Sequence, residues 1–182
     1  MNFSIEETGI DGLVVVKPRV FRDPRGFFME TFRSDTFEKL GLPVQFLQDN
    51  LSKSSKGIVR GLHFQAPPYD QGKLVTALVG TVLDVVVDIR KNSPTYGESR
   101  SFLLSDEDPS FVYVPSGFAH GFSVLSEIAL FHYKCTNVYD KASEGGILWN
   151  DPDLGIDWQV ETALISDKDK ELPLFKNFTS PF

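Results

Sequence analysis

A single cysteine, Cys135, stands among the 182 residues of the chain. One thiol excludes an intrachain disulfide framework and a multi-cysteine zinc site, and it reads as a small apolar filler within a strand. Histidine is nearly as scarce, with only His63, His120 and His132. No stretch approaches the roughly 20 apolar residues that span a bilayer. The opening "MNFSIEETGIDG" also lacks a basic segment followed by an apolar one, so no membrane partner is expected and the expected location is cytoplasmic. Positive charge is in deficit as well. A formal net charge of −7 repels nucleic acid at long range, which argues against a polynucleotide partner. Internal repeats, low-complexity tracts and linkers are missing, which leaves one domain spanning 1–182 as the expected organisation.

What the chain does have is apolar material: 41 % hydrophobic residues, including 16 phenylalanines, enough to offset the entropy lost on ordering. "GLVVVKPRV", "FFMETF", "KLVTALVG", "TVLDVVVDI", "FVYVP", "GFSVL" and "ALFHYKC" are short, β-branched or aromatic runs bounded by Gly, Pro, Ser or Asp. They predict a mostly β protein. Gly80 and Thr81 between two such runs predict a tight hairpin. Helix signals are confined to "SDTFEKLG", with a Ser34 or Asp35 cap and a Gly41 stop, and to "SDKDKELPLF". Helices this short cannot cover a parallel sheet. The expected fold is therefore a jelly-roll barrel or sandwich of antiparallel strands, with a few short peripheral helices and a lumen lined by alternate residues.

The run "VRGLHFQ" (59–65) places a histidine in an apolar strand. Together with "PSGFAHGF" it resembles the two-motif pattern of the cupin superfamily, in which an HxH pair and a PxGxxH segment gather metal ligands. Here the second position of HxH is Gln65, and His120 follows Pro115 and Gly117. Two histidines without a clear carboxylate partner fall short of the three firm ligands a catalytic metal takes, so neither metal nor cofactor is expected. A metal-free imidazole, with an unperturbed pKa near 6.5, suits general-base work. Three more residues join it: Lys73 on a strand among apolar neighbours, Asp84 among valines, and the Tyr133 phenol on the face shared by Phe131 and Cys135. They describe a base, a cation, an orienting carboxylate and an acid. Strict alternation puts Arg60 and His63 on opposite faces. Both reach one cavity only through a bulge at Gly61 or with Arg60 at the rim.

The motifs "VFRDPRGFFMETF", "QDNLSKS", "VRGLHFQ", "QGKLV", "DVVVDIRKNSPTYG", "VPSGFAHGFSVLSE", "YKCTNVY" and "EGGILWNDPDLGIDW" run in order along nearly the whole chain. On these the sequence resembles the dTDP-4-dehydrorhamnose 3,5-epimerase family. The resemblance implies cofactor-free epimerisation at C3 and C5 of dTDP-4-keto-6-deoxy-D-glucose, giving dTDP-4-keto-L-rhamnose. It implies His63 as base, Asp169 as its carboxylate with Asp167 as the competing candidate, Lys73 at the enolate oxygen and Tyr133 as proton donor on the opposite face. Asp84 and His120 fall in the supporting shell, with substrate contact open to His120. Arg25 and Arg60 are implied for the pyrophosphate, and Phe28, Glu30, Gln48, Asn50 and Tyr139 for the nucleoside and sugar. The "RDPRGFF" segment is implied to reach a partner subunit's site in a homodimer with exchanged strands. Leu51 stands where the family commonly has histidine, and His132 and Trp158 carry no expected catalytic role; Trp149 is a packing residue or a pocket-lining one. Relatives that invert a single carbon, and 3,4-ketoisomerases on the same nucleotide sugar, are the alternatives, followed by a metal-dependent cupin oxygenase and a non-catalytic binding barrel.

Overall fold

The computed structural model describes residues 1–182. Its strands are β1 (Phe3–Glu7), β2 (Val14–Pro18), β3 (Phe21–Asp23), β4 (Gly26–Phe28), β5 (Gln48–Ser55), β6 (Val59–Gln65) and β7 (Lys73–Val79). They continue with β8 (Thr81–Asp88), β9 (Ser99–Ser105), β10 (Phe111–Val114), β11 (Phe118–Val124), β12 (Ile128–Cys135) and β13 (Glu144–Gly146). Two short helices, α1 (Ser34–Lys39) and α2 (Asp167–Lys170), lie outside the sheets. One sheet runs β1-β2-β10-β7-β12-β5, the other β13-β6-β11-β8-β9, and β3-β4 forms a separate ribbon. All paired strands are antiparallel. From β6 to β12 the chain passes repeatedly from one sheet to the other, which is the jelly-roll arrangement.

Crossing between sheets explains why Gly80 makes no hairpin. β7 and β8 belong to different sheets and do not pair. Gly80 is a corner with φ +77°, where a Cβ would lie 2.1 Å from the Ile128 carbonyl oxygen. The run of β8 also explains itself. Val82 and Val86 enter the core between the sheets with Val75, Ala77, Phe122 and Phe131. Leu83, Val85 and Val87 face the other way, under Ile147 and Trp158 of the C-terminal third. With both faces dry, apolar–polar alternation disappears.

A third cluster packs Phe37 of α1 with Phe3, Val16, Leu74 and Phe111. The cap of α1 is Arg33 in extended conformation, not Ser34 or Asp35. The Asp35 carboxylate is engaged by the Arg33 guanidinium at 2.7 Å and is not available to the helix terminus. Gly41, at φ +72°, follows the Leu40 C-cap as the glycine stop requires. The expected strand "FFMETF" ends at Phe28. Beyond it Glu30 accepts a hydrogen bond from Asn2, and Phe32 packs edge-on against Phe37 and Phe46. No helix is long and apolar enough to cross a membrane.

Candidate active site

The first irregularity in β6 is what aims its histidine. His63 pairs with His120, yet Arg60 pairs with Phe122, so three steps on β6 oppose two on β11. The extra residue falls beside Gly61, whose φ is +131° and whose place would put a Cβ 2.6 Å from the Gly121 Cα. Gly121 in turn has no room for a Cβ against the Arg60 carbonyl oxygen at 2.5 Å. Glycine on both strands thus permits a bulge. As a result Arg60 and His63 line the same cavity of about 720 Å³, with Arg60 exposed at its rim.

His63 Nε2 lies 2.7 Å from Asp169 Oδ1. Asp169 is buried on α2, where the Ser166 hydroxyl accepts its backbone N–H at 3.1 Å, and its Oδ2 accepts the Gly61 N–H at 3.4 Å. Burial pushes this carboxyl up, but the hydrogen bond and charge of His63, with Gly61 and Ser166, outweigh it and leave Asp169 below the usual carboxylate value. Asp167 is exposed and paired with Lys170 at 2.8 Å. Of the two aspartates, only Asp169 meets His63.

Lys73 opens β7 and Tyr133 lies on the adjacent β12. Burial pushes the Lys73 ammonium down, with Cys135, Asp84 and Glu144 opposing. Burial raises the Tyr133 phenol above its ordinary value, Cys135 adding and Arg60 opposing. The phenol therefore holds its proton through the neutral range. Behind them His120 Nε2 sits 2.6 Å from Asp84 Oδ1, both buried, while Asp84 Oδ2 has no partner. The buried Cys135 thiol, itself pushed up by burial, receives a weak hydrogen bond from Asn50 at 3.6 Å.

A second cavity of about 320 Å³ is lined by Gln48, Asn50, Gln65, Tyr139 and Glu144. His63, Lys73 and Tyr133 are the three side chains that line both cavities. Gln48 and Asn50 bond each other at 3.0 Å, and the Tyr139 hydroxyl donates to Glu144 at 2.9 Å. Arg25, Phe28 and Glu30 line neither cavity of this chain. Arg25 pairs with Asp23 on the exposed β3–β4 ribbon, Phe28 is 66 % exposed, and Glu30 binds Asn2 and Arg33. His132 lines neither cavity, and Trp149 packs beneath the five-stranded sheet, its carbonyl accepting the Trp158 indole N–H.

Sequence reasoning did not single out Glu144, which bonds both Tyr139 and Lys168. Its signal was the pair of glycines after it. A Cβ at Gly145 would meet the Phe64 ring at 2.4 Å and one at Gly146 the Leu62 carbonyl at 2.6 Å, so the Gly-Gly step marks a strand drawn against β6.

Residues 7–177 match the model of the family described as dTDP-4-dehydrorhamnose 3,5-epimerase. A protein of that description from Shigella flexneri is 52 % identical over 91 % of this chain and 92 % of its own length. One from Methanothermobacter thermautotrophicus is 48 % identical, covering 96 % of each. The crystal structure of a dTDP-6-deoxy-D-glucose-3,5-epimerase from Legionella pneumophila, in complex with dTDP-4-keto-L-rhamnose, superposes with a TM-score of 0.93. Its identity to this chain is 45 %, over 97 % of this chain and 95 % of that one.

Proposed function

The chain belongs to the dTDP-4-dehydrorhamnose 3,5-epimerase family, and we propose that it inverts C3 and C5 of dTDP-4-keto-6-deoxy-D-glucose at the junction of its two cavities. It is an isomerase acting on a dTDP-sugar. The observation that carries the residue assignments is the sharing of His63, Lys73 and Tyr133 between both cavities.

The chemistry follows from the groups. With Nε2–H held by the Asp169 carboxylate, the neutral tautomer of His63 leaves Nδ1 as the basic atom. It takes the proton from a carbon next to the C4 ketone, and the C–H electron pair moves into an enolate whose charge collects on O4. The Lys73 ammonium sits where that charge develops, so its attraction grows toward the transition state. Tyr133 then delivers its phenolic proton to the carbon from the opposite face, and configuration inverts. The imidazolium and the phenolate exchange with solvent before the second centre reacts. Atoms and electrons balance, since one proton leaves and one arrives.

Gln48, Asn50 and Tyr139 hold the nucleoside end and Arg60 the pyrophosphate, whose oxygens a guanidinium fork matches. His120, on Asp84, braces the sugar side. The exposed Arg25 and Phe28 with Glu30 serve the cavity of a second copy, which makes the working form a homodimer with exchanged β3–β4 ribbons.

Deuterium uptake from heavy water, followed by NMR on dTDP-4-keto-6-deoxyglucose, tests the reading. Exchange at both C3 and C5, lost in His63→Ala, is the expected result. Exchange at one carbon alone would make the chain a single-centre epimerase, and exchange that survives the substitution would remove His63 as the base.

A further inference from the structure

We infer that Gln65 is a positioning residue for nucleotide binding, acting through Tyr139; the inference rests on the reading above, in which Tyr139 meets the nucleoside end. Gln65 occupies the second position of the HxH pattern and is 6 % exposed. Its Nε2 donates to the Tyr69 carbonyl at 2.6 Å and to the Val138 carbonyl at 3.1 Å, and its Oε1 accepts the Asp140 N–H at 2.8 Å. The orientation of the amide is fixed by these partners, because two carbonyls must face the NH₂ and one N–H must face the oxygen.

Among side chains of this length, only a carboxamide carries two donors and an acceptor on one fork. Imidazole has at most two sites, and a carboxylate has no donor at all. The three bonds gather two separate loops, the one between β6 and β7 and the one after β12. They also bracket Tyr139, gripping the carbonyl before it and the N–H after it. The N–H of Tyr139 itself donates to Gln48 Oε1 at 2.7 Å. Exposed loops are mobile by default, and Tyr139 is 53 % exposed. The clasp is what keeps its aromatic ring over the cavity, with the hydroxyl on Glu144, which is the register partner of Gln65 on β13.

The test is a double-mutant cycle on dTDP affinity, measured by calorimetry with Gln65→Met, Tyr139→Ala and the double variant, alongside kcat, KM and thermal unfolding. Gln65→Met preserves the shape and removes the hydrogen bonds. The expected result is a rise in Kd and KM of about tenfold with kcat within about twofold, and no further loss when the change is made on Tyr139→Ala. An equal loss in both backgrounds overturns the inference, as does a lowered melting temperature with unchanged affinity. Wild-type protein that fails to bind dTDP would instead overturn the functional reading, and Gln65 with it. Should Gln65→Met not fold, Gln65→Glu serves: protonation restores one O–H donor. Its dTDP affinity relative to wild type should then recover as pH falls from 8 to 5, and a flat ratio overturns the inference.

Discussion

A single carboxylate oxygen 2.7 Å from His63 Nε2 decides which ring nitrogen is basic. Asp169→Asn keeps the size but turns the anion into a neutral amide, so kcat is expected to fall about a hundredfold, within the range of general-base effects. Asp167→Asn, at an exposed site paired only with Lys170, should leave kcat within about twofold; steady-state kinetics on both variants separates the two aspartates. A second carboxylate governs acid stability. Burial alone would push Asp88 up, but hydrogen bonds from Arg90, Ser93 and Thr95 outweigh it and bring the carboxyl to about 2. A depressed carboxyl stabilises the fold above its unfolded value near 3.8, and that stabilisation is lost as pH falls from about 4 through about 2. It amounts to on the order of 2 kcal/mol. Urea unfolding across pH 2 to 7 should show a steep acid limb that Asp88→Asn flattens, with lower stability at neutral pH; an unchanged limb would remove Asp88 as its source.

The bulge of β6 makes a prediction at the level of the strand. In Gly61→Ala a Cβ would enter at a positive φ, 2.6 Å from the Gly121 Cα and next to the N–H that Asp169 accepts. A loss of about 2 to 3 kcal/mol is expected, with a fall in kcat/KM as His63 and Asp169 separate, measured by thermal unfolding and turnover. From the sequence, strict alternation asked for either a bulge at Gly61 or Arg60 at the rim, and the structure has both. β7, β8, β10 and β12 were equally legible, because buried β-branched runs leave few alternatives. β5 and β9, "QDNLSKSS" and "SRSFLLS", were not: as edge strands with one wet face they carry mostly polar residues. The Gly80 corner misled because a glycine between two runs looks the same whether the strands pair or change sheets. In the site, His63, Lys73, Tyr133 and Asp84 stood out as polar groups in apolar surroundings, and His120 and Gln65 by their places in the two-motif pattern. Glu144 and Lys168 did not, since a strand and a short helix distant in sequence bring them together.

For the whole molecule, the exposed ribbon bearing Arg25 and Phe28 predicts sites completed between copies. Mixing His63→Ala with Arg25→Ala subunits should restore about a quarter of wild-type activity, since half the random dimers hold one intact site. No recovery would mean that each chain uses its own Arg25. The path of the chain through the two sheets carries a different consequence. His63 is laid down in the first half of the polypeptide, whereas Asp169, Lys168 and the wall from Ala163 to Lys170 arrive in about its last ninth. During synthesis His63 therefore leaves the ribosome well before the carboxylate it pairs with, and a prematurely terminated chain carries a histidine without its partner. The cavity that holds the His63–Asp169 pair gains its wall only once residues 163–170 have been made.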